Sequence, residues 1–116
     1  MLKITEHQEQ TAVIQWFRIQ YPRYHKCLWA IPNGGARHIR TAMTLKQEGV
    51  LAGVSDLFLM VPKKGFHGMF IEIKTKRGKL SDAQKDFINL ASLMGYFPVV
   101  CYGFEQAKKD IQSYLT

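Results

Sequence analysis

Two apolar runs joined by a short turn constrain the fold of this chain more than any other feature of its sequence. The first run is GVSDLFLMV at residues 53–61, and the second is MFIEIK at residues 69–74. The residues between the runs include Pro62, Gly65 and Gly68, which are typical of turns. We therefore predict that the two runs are neighbouring buried strands of one hairpin.

Charged residues interrupt both runs at positions that the hairpin brings together. With a turn centred near residue 65, paired residue numbers sum to about 130, which sets Asp56 opposite Lys74 and diagonal to Glu72. Glu72 and Lys74 are two residues apart, so they project from the same face of their strand. Asp56 also lies next to four consecutive apolar residues, where an unpaired carboxylate is costly. We predict that two carboxylates and one ammonium group converge on one spot.

Such a convergence is typical of a site that holds a divalent metal ion over a phosphodiester. Hydrolysis needs a nucleophilic water, neutralisation of developing charge and help for the departing oxygen. Magnesium prefers oxygen ligands and needs only one or two carboxylates, so Asp56 and Glu72 are candidate ligands, with the backbone carbonyl of Ile73 as a third. Lys74 would orient the water or counter charge on the phosphoryl oxygens. A Glu-x-Lys strand is also common on solvated sheet faces, and the hairpin register is what favours the catalytic interpretation.

Capping patterns and apolar periodicity predict the other elements. Thr5 with Gln8, and Ser81 with Gln84, have the spacing of capping boxes. The predicted elements are a helix at 6–20, a strand at 27–31, a basic helix at 37–48, the hairpin, a helix from Ser81 to Gly95, a strand at 97–102 and a helix at 104–115. The helix after Ser81 is expected to face inward with Ala83, Phe87, Leu90, Ala91 and Met94. The order α-β-α-β-β-α-β-α predicts a single α/β domain over residues 1–116, with a mixed sheet flanked by helices.

The charge balance indicates a polyanionic partner such as nucleic acid, or else a well-solvated surface. The chain of 116 residues has a formal net charge of +7 and a pI of about 9.6. Its basic residues are crowded into two segments, with Lys63, Lys64, Lys74, Lys76, Arg77, Lys79 and Lys85 in one and Arg37, Arg40 and Lys46 in the other. Candidate DNA contacts are Lys76, Arg77, Arg37 and Arg40 on phosphates, and Asn33 and Gly34 in a loop that DNA backbone could approach. A solvated helix face explains Arg37 and Arg40 equally well, and an ordinary flexible loop explains Asn33 and Gly34 equally well.

Other features of the sequence indicate the cellular compartment and whether zinc is expected. Cys27 and Cys101 lie in apolar runs and are expected to be buried free thiols, which suits a reducing compartment. The chain shows no secretory leader and no run long enough to span a membrane, so we expect a soluble, cytoplasmic protein. No histidine or cysteine pair has finger-like spacing, so we expect no zinc. Trp16, Phe17 and Trp29 are expected in the core rather than as base-stacking platforms.

With these residues placed, the chain resembles the virus-type replication-repair nuclease (VRR-NUC) domain, a branch of the PD-(D/E)xK, restriction-endonuclease-like superfamily. The matching blocks span nearly the whole chain and are Glu6-His7-x-x-Gln10, Ile31 to Gly35, Lys46-x-x-Gly49-Val50-x-x-Gly53-Val54-Ser55-Asp56-Leu57, Gly68 to Lys74, Ser81-x-x-Gln84, Gly95-Tyr96 and Gly103 to Tyr114. Each block is weak alone, but their order and spacing together are specific. Ser55 is a departure, since the wider superfamily often has proline there, but that residue supplies no ligand.

The resemblance implies a nuclease that depends on magnesium or manganese, with Asp56, Glu72 and Lys74 as its active site. It implies further that Glu6 is a helix-borne acidic ligand, with Glu9 as the second choice, and that Gln84 is an active-site helper. From the residues alone, the two glutamates could equally complement a helix dipole, and Gln84 could be only a capping residue.

Compact stand-alone members of this kind, phage or prophage-like, are similar to Holliday-junction resolvases that act as homodimers. The resemblance therefore implies a homodimeric endonuclease for branched DNA, in a bacterial cell or a phage-infected host. The alternatives are a flap or nicking nuclease of the same fold, and a catalytically silent DNA-binding module.

Overall fold

Helices and strands follow one another in the order that the sequence predicts. The computed structural model describes residues 3–32 and 39–116, with the side chains of residues 39–42 outside that description. The helices are α1 (Glu6–Gln20), α2 (Ile39–Gln47), α3 (Asp82–Leu93) and α4 (Phe104–Leu115). The strands are β1 (Leu28–Ala30), β2 (Leu57–Leu59), β3 (Met69–Lys74) and β4 (Phe97–Tyr102). A short 3₁₀ helix at Pro22–Tyr24 is the one described addition to the predicted order.

The strands form one mixed sheet in the order β1-β2-β3-β4. The pairs β1–β2 and β2–β3 are antiparallel, whereas β3 and β4 are parallel because α3 carries the chain back across the sheet. Helices α1 and α4 pack together against one face of the sheet and enclose the apolar core. The core includes Val13, Phe17, Leu57, Leu59, Met69, Ile71, Ile73, Ala107 and Ile111. The other face carries α3, whose Phe87 ring lies 5.0 Å from the ring of Phe70.

Both predicted capping boxes are confirmed and explain where α1 and α3 begin. Thr5 accepts from the backbone N–H of Gln8, and Ser81 accepts from that of Gln84, each at 3.1 Å. The side chains of Gln8 and Gln84 accept in return from the backbone N–H of their capping residues at 2.9 Å. Each box pairs backbone donors at a helix start that have no partner within the helix.

The hairpin forms, but its register differs from the prediction by two residues along β3. The turn is tight, since Lys64 and Gly65 have φ angles of 53° and 85°, and Phe66 donates to the carbonyl of Lys63 at 2.8 Å. Beyond the turn, residues 60–62 face only residues 67–68, because the next paired residues are Leu59 and Met69. The turn is centred between Lys64 and Gly65, half a residue before the predicted centre, which accounts for half of the register difference. The extra residue accounts for the other half.

The consequence for the charged residues is a new set of partners on the same face. Leu57 pairs with Ile71, so the next pair along the ladder sets Asp56 opposite Glu72. The predicted pairing of Asp56 with Lys74 is therefore wrong. Because the shift is even, all three side chains still project from one face of the sheet.

Two other expectations fail for reasons of tertiary structure. The first strand of the predicted hairpin, residues 53–61, is shorter in the structure and is limited to β2. Residues 53–56 form an approach segment that leads into it. Phe87 and Ala91 of α3 face the sheet as predicted, whereas Leu90 and the C-cap residue Met94 are 46% and 58% exposed.

Trp29 is 43% exposed rather than part of the core, since β1 is an edge strand of the sheet. Phe17 is fully buried as expected, and Trp16 is half-buried. Both cysteines are free, with Cys101 buried and Cys27 half-buried. Within residues 3–32 and 39–116, no helix combines the length and apolar character needed to cross a membrane.

Candidate active site

Asp56 stands at the point where the chain enters β2 and reaches across to β3 with its side chain. Its backbone carbonyl accepts from the N–H of Ile31 at 2.8 Å, which extends the β1–β2 ladder by one step. Its Oδ2 atom accepts from the backbone N–H of Ile73 at 2.7 Å. The amide and the carbonyl of a strand residue point to the same side, so the Ile73 carbonyl is also directed toward Asp56. The first predicted carboxylate and the predicted backbone ligand thus share one side of β3.

Glu72 is the buried acid of the site, with 2% of its surface exposed. The side-chain amide of Gln84, at the start of α3, donates to Glu72 Oε2 at 3.1 Å. Lys74 lies on the same face of β3, with its Nζ atom 3.9 Å from Glu72 Oε2. Asp56 is opposite on the ladder. The structure brings together the four side chains that the sequence predicts as catalytic.

Burial dominates the electrostatics of this cluster, and the neighbouring negative charge adds to its effect. Burial is the largest cause that raises the pKa of Glu72 from 4.5 to about 8, followed by the charge of Asp56 and a hydrogen bond with its carboxylate. The charge of Lys74 acts in the opposite direction, and that of Glu6 adds to the rise. One lysine therefore does not offset the carboxylates that face Glu72, and a further cation would stabilise the ionised site.

Glu6 and Glu9, the two alternatives for a helix-borne acid, have different surroundings. Glu6 is exposed at the start of α1, close enough for its charge to act on Glu72. Glu9 points to the start of α4 instead, where its Oε1 atom accepts from the backbone N–H of Phe104 at 3.1 Å. Gly103, the N-cap residue of α4, has no side chain to cap that helix, and Glu9 serves in its place.

The donor set suits a small hard cation held with few protein ligands. Within residues 3–32 and 39–116, no group of three or more His, Cys, Asp or Glu side chains is close enough to hold a metal ion. Asp56, Glu72 and the carbonyl of Ile73 offer oxygen atoms only, which is the ligand type that magnesium and manganese prefer. Magnesium commonly uses one or two carboxylates and completes its shell with water and substrate phosphate. The residues present therefore fit such an ion.

The stem of Lys74 is held by the turn that follows β3. Gly78 donates to the carbonyl of Thr75 at 2.9 Å and folds the chain back over the lysine. A Cβ atom at Gly78 would lie 3.1 Å from Lys74 Cδ, so the turn leaves little room around the stem. Lys74 is consequently only 8% exposed despite its charge.

The predicted DNA contacts lie partly outside the described residues. This applies to Asn33, Gly34, Arg37 and the side chain of Arg40, whose backbone belongs to α2. Lys76 and Arg77 are exposed on the turn directly after Lys74.

One supporting residue was missed by reasoning from the sequence. Gly53, in the approach to Asp56, has a φ of 90° and lies against the first turn of α3. A Cβ atom there would be 2.3 Å from the carbonyl oxygen of Ala83. A glycine between the apolar residues Ala52 and Val54 is the signal that could have indicated this close approach.

Comparison with known proteins shows the family and the fold. The family model of the VRR-NUC domain matches residues 4–105. A solved structure described as a VRR_NUC domain protein is similar over 99% of this chain and 91% of that chain, with a TM-score of 0.88 and 28% sequence identity. No curated protein matches the chain at a significant level.

Proposed function

The chain belongs to the VRR-NUC family, a family of nuclease-type domains with DNA as their substrate, and we propose that it is a metal-dependent endonuclease that cuts branched DNA. The proposal includes action as a homodimer on a Holliday junction, in the cytoplasm of a bacterial cell or a phage-infected host. Free thiols at Cys27 and Cys101 support a reducing compartment.

One observation carries the proposal: the buried carboxylate of Glu72 faces Asp56, and among the described residues only Lys74 brings a positive charge close to it. Two carboxylates in such a place are unfavourable for folding when both are ionised. Clusters of this kind are found where a functional cation relieves the repulsion.

Each residue of the cluster has a role that its position supports. A bound magnesium or manganese ion would supply Lewis acidity and a water of lowered pKa. Asp56, Glu72 and the Ile73 carbonyl would hold that ion. Lys74 would donate hydrogen bonds to a phosphoryl oxygen or to the attacking water. Gln84 would keep the Glu72 carboxylate in one rotamer.

Glu6 and the exposed basic residues complete the proposed site. Glu6 would approach the ion from the start of α1, either directly or through a water molecule. Lys76 and Arg77 would contact phosphates next to the scissile bond, which predicts that DNA affinity falls steeply with salt.

Homodimer formation is supported by the symmetry of the proposed substrate. One small domain offers one active site, whereas symmetric cutting of a four-way junction needs two sites related by a two-fold axis. Candidate substrates therefore include the four-way junction first, with flaps and nicks as alternatives.

Conservative substitution of both carboxylates tests the proposal. Asp56→Asn keeps an oxygen for the Ile73 N–H, and Glu72→Gln keeps the shape of the side chain, so both variants should fold. We expect each to lose about two orders of magnitude or more of magnesium-dependent cleavage of a labelled four-way junction. Both should also lose manganese binding in calorimetric titration.

Asp86→Asn is the matched control, since it removes an exposed carboxylate from α3. It should leave cleavage and metal binding unchanged. Normal cleavage by Asp56→Asn or Glu72→Gln contradicts the assignment. A panel of flap, fork, four-way and linear DNA separates the substrates, and failure of the unaltered protein to bind metal or cut any of them indicates a silent DNA-binding module.

A further inference from the structure

Trp29 shares a sheet face with the carboxylates and is accessible to solvent. It pairs with Phe58 of β2, which in turn pairs with Phe70 of β3. Cross-strand partners project from the same face, and residues two apart along a strand do so as well. Trp29 therefore lies on the same face as Asp56 and Glu72, with 43% of its surface exposed.

The indole ring is braced from the protein side by a row of aromatic rings. The rings of Trp29 and Phe58 are 5.3 Å apart at an interplanar angle of 67°, and those of Phe58 and Phe70 are 4.7 Å apart. Phe70 is covered in turn by Phe87 and Tyr96, at 5.0 Å and 5.2 Å. Trp29 is the open end of this row, and a braced ring loses little conformational entropy when a ligand stacks on it.

Helix α3 covers one half of the face that carries the carboxylates. The helix packs against β4 and places Phe87 over Phe70, so it covers the β3–β4 half of the face. The β1–β2 half carries Trp29. From the strand spacing of about 4.8 Å and the rise of about 3.3 Å per residue, the Cα atoms of Trp29 and Glu72 are about 12 Å apart. That distance corresponds to about three to four base steps of 3.4 Å along DNA.

We propose that Trp29 is a stacking platform for an unpaired base of the DNA substrate, a few nucleotides from the scissile phosphodiester. The inference rests on the proposed nuclease function and deepens it. A neutral indole adds nothing to phosphate affinity, but it stacks on any base that is free of its neighbours. Such bases occur at branches, flaps and mismatches, and not inside an intact duplex. Trp29 would thus select DNA by structure rather than by sequence.

The two tryptophans of the chain allow a direct binding test. In the Glu72→Gln background, which prevents cleavage, Trp16→Phe leaves Trp29 as the only indole, and Trp29→Phe leaves Trp16. Junction DNA with unpaired bases should quench the emission of the first protein and leave that of the second unchanged. Quenching of both alike, or of Trp16 alone, overturns the proposal.

Cleavage of abasic substrates tests stacking in the active enzyme. Trp29→Ala should lower kcat/KM by roughly five- to hundredfold on flap or junction DNA with unpaired bases, and Trp29→Phe by less. On the same DNA with abasic sites at the unpaired positions, the unaltered protein and Trp29→Ala should be nearly equal. The stacking role is overturned if Trp29→Ala loses activity equally on both substrates. Thermal unfolding of Trp29→Phe checks that substitution at this position leaves the fold intact.

Two further outcomes separate this inference from the function on which it rests. If Trp29 instead contacts a second copy of the chain, Trp29→Ala should dissociate the dimer in sedimentation without DNA, which overturns the stacking role. If the unaltered protein cuts no DNA yet Trp29 emission responds to unpaired bases, the proposed nuclease function fails and the platform stands. If cleavage does not change when Trp29 is substituted, the proposed nuclease function is retained and the stacking role of Trp29 is overturned.

Discussion

The side-chain amide of Gln84 joins the start of α3 to the buried carboxylate of Glu72. Its Oε1 atom accepts from the backbone N–H of Ser81 at 2.9 Å, and its Nε2 atom donates to Glu72 Oε2 at 3.1 Å. The sequence allows two interpretations of Gln84, as a capping residue and as an active-site helper. The two contacts show that its amide oxygen caps the helix while its amide nitrogen binds the candidate ligand Glu72.

Substitution of Gln84 should affect stability and activity separately. Gln84→Glu keeps an acceptor for Ser81 but places a third carboxylate beside Glu72, and Gln84→Ala removes both contacts. We expect Gln84→Ala to cost about 0.5–1.5 kcal/mol of unfolding free energy. We expect both variants to lose about 10- to 100-fold of metal-dependent cleavage, as is typical when a residue that orients a metal ligand is removed.

Gln8 provides the matched control, because it occupies the same position in the capping box of α1. Gln8→Ala should cost a similar free energy of unfolding and leave cleavage unchanged. If Gln84→Ala reduces cleavage no more than Gln8→Ala does, the contact with Glu72 has no role in activity.

Glu6 and Glu9 should be distinguishable by the property that each one supports. Glu9→Ala removes the acceptor for the Phe104 N–H, so we expect a loss of about 0.5–2 kcal/mol in stability, as for other helix caps. Glu6→Ala should leave the unfolding free energy nearly unchanged and lower cleavage, since its charge acts on Glu72. Urea unfolding and cleavage rates measured on both variants check this, and a stable but inactive Glu9→Ala contradicts it.

The raised pKa of Glu72 predicts how stability depends on pH without metal. Its pKa is about 8 in the folded protein against an ordinary value of 4.5, so the folded state keeps a proton that the unfolded state releases. The stabilising contribution of the protonated carboxyl is complete below about pH 4.5 and is lost as pH rises through about 8. The Tm of metal-free protein should therefore fall over this range, and that of Glu72→Gln should fall less.

Metal binding should couple to the same proton. A cation that binds ionised Glu72 must displace the proton, so metal affinity should rise between about pH 6 and pH 8. Calorimetry in two buffers of different ionisation enthalpy measures the released proton. The unaltered protein should release close to one proton per metal ion below about pH 7 and fewer above about pH 8, and a release that does not change with pH contradicts the prediction.

Local signals in the sequence define much of this fold. The bounds of β3, β4 and α4 agree with the predicted ranges, and α3 begins after a capping box and ends before Gly95. Each of these elements has apolar periodicity with a turn or cap residue at its end. The alternation of side chains along β3 likewise predicts that Glu72 and Lys74 share a face, whatever the register.

The register and the exposure of side chains depend on contacts that are distant in sequence. The extra residue between β2 and the turn is accommodated where Met60 donates to the carbonyl of Cys27, a pairing with β1 that the hairpin sequence does not encode. Trp29 is exposed because β1 lies at the edge of the sheet, and edge position follows from the order of all four strands. The hydrogen bond from Ile73 to Asp56 follows from the same shifted register.

Gly53 and Gly49 provide a matched pair for testing how α3 is positioned. Both have positive φ angles, of 90° and 100°, so alanine at either carries a backbone cost of about 1–2 kcal/mol. Among the described residues, and apart from its chain neighbours, no atom lies within 4 Å of a Cβ added at Gly49, whereas at Gly53 the carbonyl oxygen of Ala83 is 2.3 Å away. Only the second substitution must displace the first turn of α3.

That displacement should reach the candidate site through Gln84, whose backbone nitrogen lies 2.8 Å from the added Cβ at Gly53. We expect Gly49→Ala to lose only the backbone cost and to keep its cleavage rate. Gly53→Ala should lose more stability and, under conditions where it is still folded, about tenfold or more of cleavage as Gln84 moves from Glu72. Denaturant unfolding and junction cleavage test both variants. A folded Gly53→Ala that cuts at the rate of Gly49→Ala would mean that the approach segment does not position Gln84.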